Sequence, residues 1–367
     1  MSADGANPVA VIQDAALDWS PVWSPGGDSL YFASDRGGSM NLWRVRVDEK
    51  SGRALGRPEP VTTPSPYSGP ISISRDGKRI AYVQQLTTAN IQKAGFDPVK
   101  ETVVSQPQWI TQGIRQARFP DPSPDGEWLV FENYQGSKQE DISVIKTDGT
   151  GLRQITNDVY KDRFPRWSPD SRRIAFHSNR VGTFDIWLIN PDGSALERLT
   201  YAPATFVYFA VWSPDSKRLA YTVPGGSPFM MEVAKPWKEQ SPKPVVVPAE
   251  LGAPFEVSSG SPDGRKLAGH FRKADTTTGG IGMYSLESEK LERLTDFGGR
   301  PMWLGDSRRL LFQDQGKIYL IDSQSRKSRE ILSVAPHPIN GATLSRDDRL
   351  IYFSVLVAEA DILATLE

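Results

Sequence analysis

Hydrophobic and polar residues alternate along this chain in short runs, and the runs return at regular intervals. An aliphatic residue is followed two positions later by an aromatic residue, so both lie on one face of a strand. The clearest run spans residues 173–178, and a second apolar run follows at residues 185–189. No segment of useful length shows helical periodicity. The pattern therefore predicts an all-β protein.

A turn of the form Trp-Ser-Pro-Asp-Gly/Ser precedes each run, with Pro where its fixed φ suits the second turn position. We use the Ser position as the anchor of each copy. The residue six past the anchor is aliphatic in every copy, and the residue eight past it is aromatic in all copies but one, where Gly269 stands. The anchors lie 41 to 50 residues apart and are Ser24, Ser74, Ser123, Ser168, Ser213, Ser261, Leu304 in place of Ser, and Ser345.

Self-similarity at this period, with four short strands in each copy, indicates a β-propeller. We predict one closed propeller over residues 1–367, built from eight four-stranded blades. Seven blades is the alternative, if the second or eighth copy is degenerate. The last copy ends before a fourth strand, whereas residues 9–12 stand at the offset of an outer strand before Ser24. We therefore expect this N-terminal strand to complete the last blade, close the ring and remove exposed sheet edges.

Composition narrows the functional classes. A net charge of −1 argues against a nucleic-acid-binding protein, which needs a basic face. The absence of cysteine excludes disulfides and thiolate chemistry and selects no redox compartment. The first residues lack the basic and apolar regions of a signal peptide, and charges at Glu359 and Asp361 interrupt the last apolar stretch, so no membrane insertion is expected.

The motif at residues 167–176 resembles the TolB-type, WD40-like propeller repeat. Variant forms of this repeat occur in TolB, in the tricorn protease and in the propeller domains of prolyl oligopeptidase-type peptidases, and the resemblance spans roughly residues 8–367. The segments at residues 34–38 and 41–43 also resemble propellers at the C-terminal end of bacterial regulators, where they follow a kinase or winged-helix domain.

That resemblance implies a sensory or docking domain, with an effector domain fused to it in a longer parent protein. The location stays open: periplasmic or extracytoplasmic if the parent is a membrane-anchored regulator, and cytoplasmic otherwise. No glycine-rich nucleotide loop, winged-helix segment or Gly-x-Ser-x-Gly nucleophile elbow occurs in the sequence.

Candidate metal ligands have a simpler structural interpretation. The recurring turn Asp caps backbone N–H groups two residues on. His177 and His270 occupy the same position in their repeats, but the residues at that position in the other repeats are poor ligands, so we expect packing roles. We predict no metal, no cofactor and no catalytic residue.

Loops that vary on a repeating scaffold are the expected binding surface. Those before the first strands and between the second and third strands should share one face and carry aromatic and arginine side chains suited to docking. Arg36 and Arg180 either bind a carboxylate or phosphate or pair with carboxylates of the protein. The candidate ligand-binding residues are Trp19, Arg36, Tyr67, Arg115, Tyr160, Arg163, Arg180, Tyr208, Arg300 and His337.

These features predict a non-catalytic binding or scaffold module, sensory or protein-interacting, that recognises a protein, a peptide or a small ligand. Two alternatives remain. One is a propeller lyase or hydrolase with its active site at the channel mouth, which would need converging carboxylates such as Asp158 or Asp162. The other is the gating propeller of a peptidase.

Overall fold

The computed structural model describes residues 8–366 except 15, 37–39, 62–67, 114–115, 136–138, 202–205, 224–227, 249–250, 252–253 and 274–277. Strands dominate it, and one short 3-10 helix spans Trp237–Glu239. The all-β prediction is confirmed. Within the described ranges, none of the helical structure has the length and apolar character that a membrane crossing requires.

The chain divides into two compact units, Met1–Thr87 with Ala358–Glu367, and Thr88–Val357. The first unit contains a sheet of β1 (Asp18–Trp23), β2 (Ser29–Ser34), β3 (Asn41–Arg46) and β4 (Glu59–Pro60) in that order. It also contains β5 (Ser68–Ile73), which pairs with the first part of β6 (Arg79–Asp97).

Four sheets of the second unit each contain four strands in chain order, as the repeat predicts. They are β13 (Asp162–Trp167), β14 (Ile174–Ser178), β15 (Asp185–Ile189) and β16 (Glu197–Arg198); β17 (Tyr208–Trp212), β18 (Arg218–Thr222), β19 (Phe229–Glu232) and β20 (Lys243–Pro244); β21 (Phe255–Gly260), β22 (Lys266–Arg272), β23 (Thr278–Ser285) and β24 (Leu291–Arg293); and β25 (Gly299–Trp303), β26 (Arg309–Asp314), β27 (Lys317–Asp322) and β28 (Ser328–Ser333).

The third repeat supplies β9 (Gln116–Pro122), β10 (Trp128–Gln135), β11 (Gln139–Lys146) and β12 (Arg153–Gln154). The last repeat supplies β29 (Ile339–Leu344) and β30 (Leu350–Leu366). Beside β30 lies the second part of β6, which also pairs with β7 (Thr102–Val103) and β8 (Gln108–Trp109). Within the second unit, the last repeat therefore obtains its third and outer strands from residues 88–109.

This arrangement corrects the prediction that residues 9–12 complete the last blade. Described residues 8–12 form no strand, and Val11 and Ile12 pack beside Phe32 of the first repeat. The place is taken by β6, whose Phe96 N–H donates to the Arg349 carbonyl at 2.8 Å. Burial explains the choice, since Phe96 joins an apolar cluster with Phe353.

The prediction of eight four-stranded blades fails for the same reason. The second repeat does not keep a third and a fourth strand of its own. Residues 88–109, which follow the unit boundary at Thr87, supply strands to the last repeat instead.

The two predicted apolar positions of each repeat are buried in the second unit. Ile174 and Phe176 are fully buried, as are Leu310 and Phe312 in a later repeat. Neighbouring sheets also share polar contacts: Asp121 accepts the Trp167 N–H at 2.8 Å.

The first strands of the six repeats in this unit contact one another in succession, from β9 through β13, β17, β21 and β25 to β29. Strand β29 in turn contacts β9. The buried hydroxyl of Ser354 on β30 donates to the Ala117 carbonyl on β9 at 2.6 Å, which connects the last repeat to the third repeat.

The turn carboxylates cap the backbone as predicted. Asp170 accepts a hydrogen bond from the Ser168 hydroxyl at 2.6 Å and from the Arg172 N–H at 3.1 Å. Among the residues that the structure describes, no group of three or more His, Cys, Asp or Glu side chains is placed to hold a metal ion.

Candidate functional site

Each first strand of the second unit carries a β-bulge, and most of these bulges place a strained residue four positions before the anchor. Phe119, Phe164, Phe209 and Arg300 have φ between 51° and 60°, and Gly341 has φ of 96° in the last repeat. Each lies at an irregularity in the pairing of first and second strands. A bulge re-aims a side chain, and a non-Gly residue held at positive φ costs about 1–3 kcal/mol. The repeat thus carries strain at one equivalent position.

The three bulge phenylalanines meet, and we call them the phenylalanine cluster (Phe119, Phe164 and Phe209). The rings of Phe119 and Phe164 stack with centroids 4.0 Å apart, and Phe209 meets Phe164 edge-on at 4.7 Å. The Arg300 guanidinium lies over all three rings, with its carbon 4.5, 4.9 and 5.7 Å from their centroids. These are cation–π distances.

Arg300 is a desolvated cation. Its side chain is partly buried, and burial, followed by repulsion from Arg166, lowers its pKa to about 10. Neighbouring arginines have carboxylate partners: Arg166 pairs with Asp121 at 3.0 Å and Arg272 with Glu256 at 2.7 Å. Within the described part of the chain, the Arg300 guanidinium makes no hydrogen bond and no ion pair, although the more distant charges of Glu256 and Glu132 oppose the lowering of its pKa.

Beside Arg300, a histidine connects a hydroxyl to a carboxylate. His270 Nε2 lies 3.2 Å from Glu256 Oε2, and Nδ1 lies 3.4 Å from the Ser258 hydroxyl. Burial lowers the pKa of His270, although the hydrogen bond to Glu256 acts in the opposite direction. A neutral ring with its proton on Nε2 would donate to Glu256 and accept from Ser258.

The second histidine has a packing role. The His177 ring stacks on Phe164 with centroids 5.3 Å apart. Burial, followed by the charge of Arg163, lowers the pKa of His177 to about 3, so the ring is neutral at any physiological pH. The sequence interpretation of His177 as a packing residue agrees with this environment.

A buried carboxyl of the third repeat supports Phe164 of the fourth repeat. Glu132 accepts the Phe164 N–H at 3.1 Å. Burial raises the pKa of Glu132 to about 7, against a smaller effect of that hydrogen bond. The group therefore changes charge near neutral pH.

The family described as TolB beta propeller domain matches residues 99–242. Residues 99–242 therefore carry TolB-type β-propeller repeats. A TolB homolog of Chlorobium luteolum is 26% identical over 171 residues, which cover 45% of this chain and 34% of that protein. An uncharacterized protein of Agrobacterium fabrum is 33% identical over 98 residues, 24% of this chain and 33% of that protein. This chain spans about a third of the length of these curated relatives.

A solved structure extends the likeness to most of the chain. TolB from Acinetobacter baumannii superimposes with a TM-score of 0.50 at 14% identity, over 86% of this chain and 76% of that one. At this identity the likeness concerns the fold alone.

Besides Arg300 itself, the structure brings two of the predicted ligand-binding residues close to the phenylalanine cluster. Tyr208 packs edge-on against Phe209 at 4.8 Å, and Arg163 lies over the Phe184 ring at 5.3 Å. Arg163 also holds Glu140 with two nitrogens, one of them at 2.8 Å.

The other predicted residues lie apart from this group. Arg180 pairs with Asp158 and Asp162 and lies over the Tyr160 ring at 5.3 Å. His337 is exposed in the second unit.

In the first unit, Arg36 pairs with Asp14 at 3.2 Å and Asp18 at 2.9 Å, and the Trp19 indole donates to the Met40 sulfur at 3.1 Å. The protein's own carboxylates therefore occupy Arg36 and Arg180. Tyr67 and Arg115 lie outside the described residues.

Sequence reasoning missed the phenylalanine cluster, although a signal was present. Phe119, Phe164 and Phe209 stand four residues before successive anchors, so three consecutive TolB-type repeats share an aromatic at one position. What the sequence did not reveal is the bulge, which turns a residue of the first strand away from the ordinary alternation.

Proposed function

We propose that this chain is a non-catalytic binding module whose second unit recognises a peptide or a protein segment beside the phenylalanine cluster and Arg300. It would act as the docking or sensory part of a larger assembly. A small ligand at the same place is the alternative within this proposal. The proposal extends the coarse assignment of a TolB-type propeller, a fold that supports binding and scaffolding.

The observation that carries the proposal is the strained bulge position. In the second unit, four non-glycine residues at that position adopt left-handed φ, and their side chains combine three aromatic rings with one cation. Strain of this kind persists where the surrounding fold enforces it, and it gathers at binding and catalytic sites. Aromatic and arginine side chains are also the residue types that contribute most to protein recognition.

The supporting architecture is a ring. We propose that Thr88–Val357 form a six-bladed closed propeller, with residues 88–109 as the third and outer strands of its last blade. The succession of first-strand contacts from β9 to β29 and back to β9 supports this count. In such a ring the bulge residues would face the central channel.

A peptide selection tests the binding role. Random twelve-residue peptides would be selected on the immobilised full chain, and the recovered peptides measured by fluorescence anisotropy. We expect micromolar dissociation constants and at least tenfold weaker binding to Phe209→Asn, because Asn tolerates left-handed φ but lacks the ring.

The matched control is Val99→Asn in the turn after β6, where the side chain is 89% exposed and remote from the cluster. It should bind as the unaltered chain does. Recovery of no peptide above a blank surface, or equal binding by Phe209→Asn, would contradict the proposal.

A hydrolase is the second candidate, because Ser258, His270 and Glu256 are connected in the order of a nucleophile, a base and an orienting carboxylate. The contact between hydroxyl and ring, 3.4 Å, is longer than the 2.6–3.2 Å of an activated nucleophile. Burial also lowers the pKa of His270, which makes it a weaker base. Both points favour binding over catalysis.

Labelling by a fluorophosphonate reagent separates the two candidates. We expect no labelling of the full chain at Ser258 and no turnover of p-nitrophenyl acetate above that of Ser258→Ala. Labelling and turnover that both disappear in Ser258→Ala would establish the hydrolase and refute a purely binding role.

A further inference from the structure

A cation without a hydrogen bond or an ion pair to any described residue lies at the centre of the proposed binding region. Burial removes water from the Arg300 guanidinium, and the pair Arg166–Asp121 beside it is already complete. Glu256 is likewise occupied by Arg272 and His270. A desolvated charge without a partner is unfavourable, so such a site gains most from an incoming charge of opposite sign.

The contacts of Arg300 with the phenylalanine cluster leave its hydrogen-bonding capacity unused. The guanidinium carbon lies 4.5 to 5.7 Å from the centroids of the three rings. A phenyl ring has no lone pair to accept a conventional hydrogen bond, so the N–H donors of the guanidinium still lack an oxygen acceptor among the described residues. The planar fork of donors matches the two oxygens of a carboxylate.

The space beside Arg300 is small and contains further polar groups. A narrow cavity there is lined by Phe164, Arg166, Phe209, Ser258, His270 and Arg300. It admits roughly one or two water-sized groups, which suits a carboxylate and excludes a bulky ligand. The Ser258 hydroxyl has one proton, and a ligand in the cavity can accept it in place of the long 3.4 Å contact with His270 Nδ1.

We propose that Arg300, with Ser258 beside it, binds a single carboxylate of the peptide ligand, either a C-terminal carboxylate or an Asp or Glu side chain. This inference rests on the proposed function, because it names the chemical group that the binding region would recognise. The phenylalanine cluster holds the guanidinium in place and contacts the chain that carries the carboxylate.

The test follows the arginine Nε–Hε signals of the ¹⁵N-labelled full chain, with the Arg300 signal identified by its loss in Arg300→Lys. The probes are acetyl-glycyl-glycinate, with a free terminal carboxylate, and acetyl-aspartyl-glycinamide, with a side-chain carboxylate. Acetyl-glycyl-glycinamide is the uncharged control. We expect a saturable shift of the Arg300 signal at millimolar concentration with at least one charged probe and no shift with the control.

Variants supply the second readout, saturation transfer to the acetyl methyl group of the probe. Arg300→Asn tolerates φ of 53° and should weaken binding of the carboxylate at least tenfold. Arg329→Asn removes the same charge from an exposed site and should not change binding. No saturable shift with either charged probe, or equal binding by Arg300→Asn, would overturn the carboxylate site.

The two proposals fail in different ways. Selected peptides that bind Arg300→Asn as well as the unaltered chain, and that tolerate loss of every carboxylate, would contradict the carboxylate site and leave peptide binding standing. The opposite result is also informative. If the charged probes shift the Arg300 Nε–Hε signal but no peptide can be selected, the carboxylate site is supported and peptide recognition is contradicted.

Discussion

Glu132 shows how a single buried group links the site to pH. Its carboxyl accepts the backbone N–H of Phe164 and lies away from water, and burial raises its pKa to about 7. An unfolded chain would release this proton near pH 4.3. The protonated carboxyl therefore stabilises the folded state fully below about pH 4, and this contribution disappears as pH rises through 7.

We expect the difference in unfolding free energy between the unaltered chain and Glu132→Gln to change by about 2 kcal/mol between pH 5 and pH 8, with the unaltered chain losing stability. The Gln amide keeps an oxygen for the Phe164 N–H but cannot ionise. Urea unfolding at several pH values measures the difference. A constant difference across this range would show that Glu132 does not titrate there.

Residue chemistry alone did not decide the roles of two of the candidate binding arginines. Arg36 and Arg180 stand in sequence contexts that suit ligand binding, yet the structure pairs each with two nearby carboxylates. The sequence interpretation had left both outcomes open, and no local pattern decides between them. Arg300 was predicted among the ligand-binding residues, but its lack of a partner depends on the arrangement of three different repeats.

At the scale of the strand, the bulge explains a glycine. Gly341 occupies the bulge position of β29, where φ is 96° and a Cβ atom would lie 2.9 Å from the Phe119 Cα. Both the backbone conformation and the close approach of β9 require glycine here. Arg300, at the same position of β25, has the room that Gly341 lacks.

Gly341→Ala should destabilise the protein by more than 1 kcal/mol, because the methyl group strains the backbone and pushes against β9. The control is Gly56→Ala, at a site with no positive φ and no heavy atom within 4 Å of the added carbon. It should change stability little. Thermal unfolding of both variants provides the comparison, and equal midpoints would show that β29 and β9 do not pack this closely.

The strand pattern itself was predictable, and its long-range pairing was not. The periodic apolar positions identified the second strands and their buried residues, such as Ile174 and Phe176, because alternation and burial are local properties. Nothing local indicated that residues 88–97 would pair with β30. Which strand they pair with depends on competition between sheet edges that are distant in the sequence. Pairing with β30 buries Phe96 beside Phe353.

At the scale of the molecule, the second unit contains four complete four-stranded sheets, the strands β7 to β12 and β29, and parts of β6 and β30. The proposed six-bladed ring predicts that Thr88–Val357 fold without the remaining residues, whereas the single domain over residues 1–367 that the sequence suggests would require the whole chain. The two descriptions therefore predict different folding behaviour for a fragment that contains the second unit alone.

A fragment of residues 88–357 should unfold in one cooperative transition and retain the near-ultraviolet circular dichroism of packed aromatics. A second fragment, residues 116–357, lacks the third and outer strands of the last sheet. It should be less stable by several kcal/mol or aggregate, because it exposes the edge of β30 and the apolar surface that β6 covers. A disordered 88–357 fragment would instead favour the single domain.

The pairing of β6 with β30 also sets an order of events during synthesis. Phe96 leaves the ribosome early, but Arg349, whose carbonyl receives its N–H, follows about 250 residues later. At a translation rate of roughly 5–20 residues per second, the apolar side chains of the second part of β6 stay without their packing partner for on the order of ten seconds or more. A nascent chain of this kind should depend on holding chaperones until β30 has been translated.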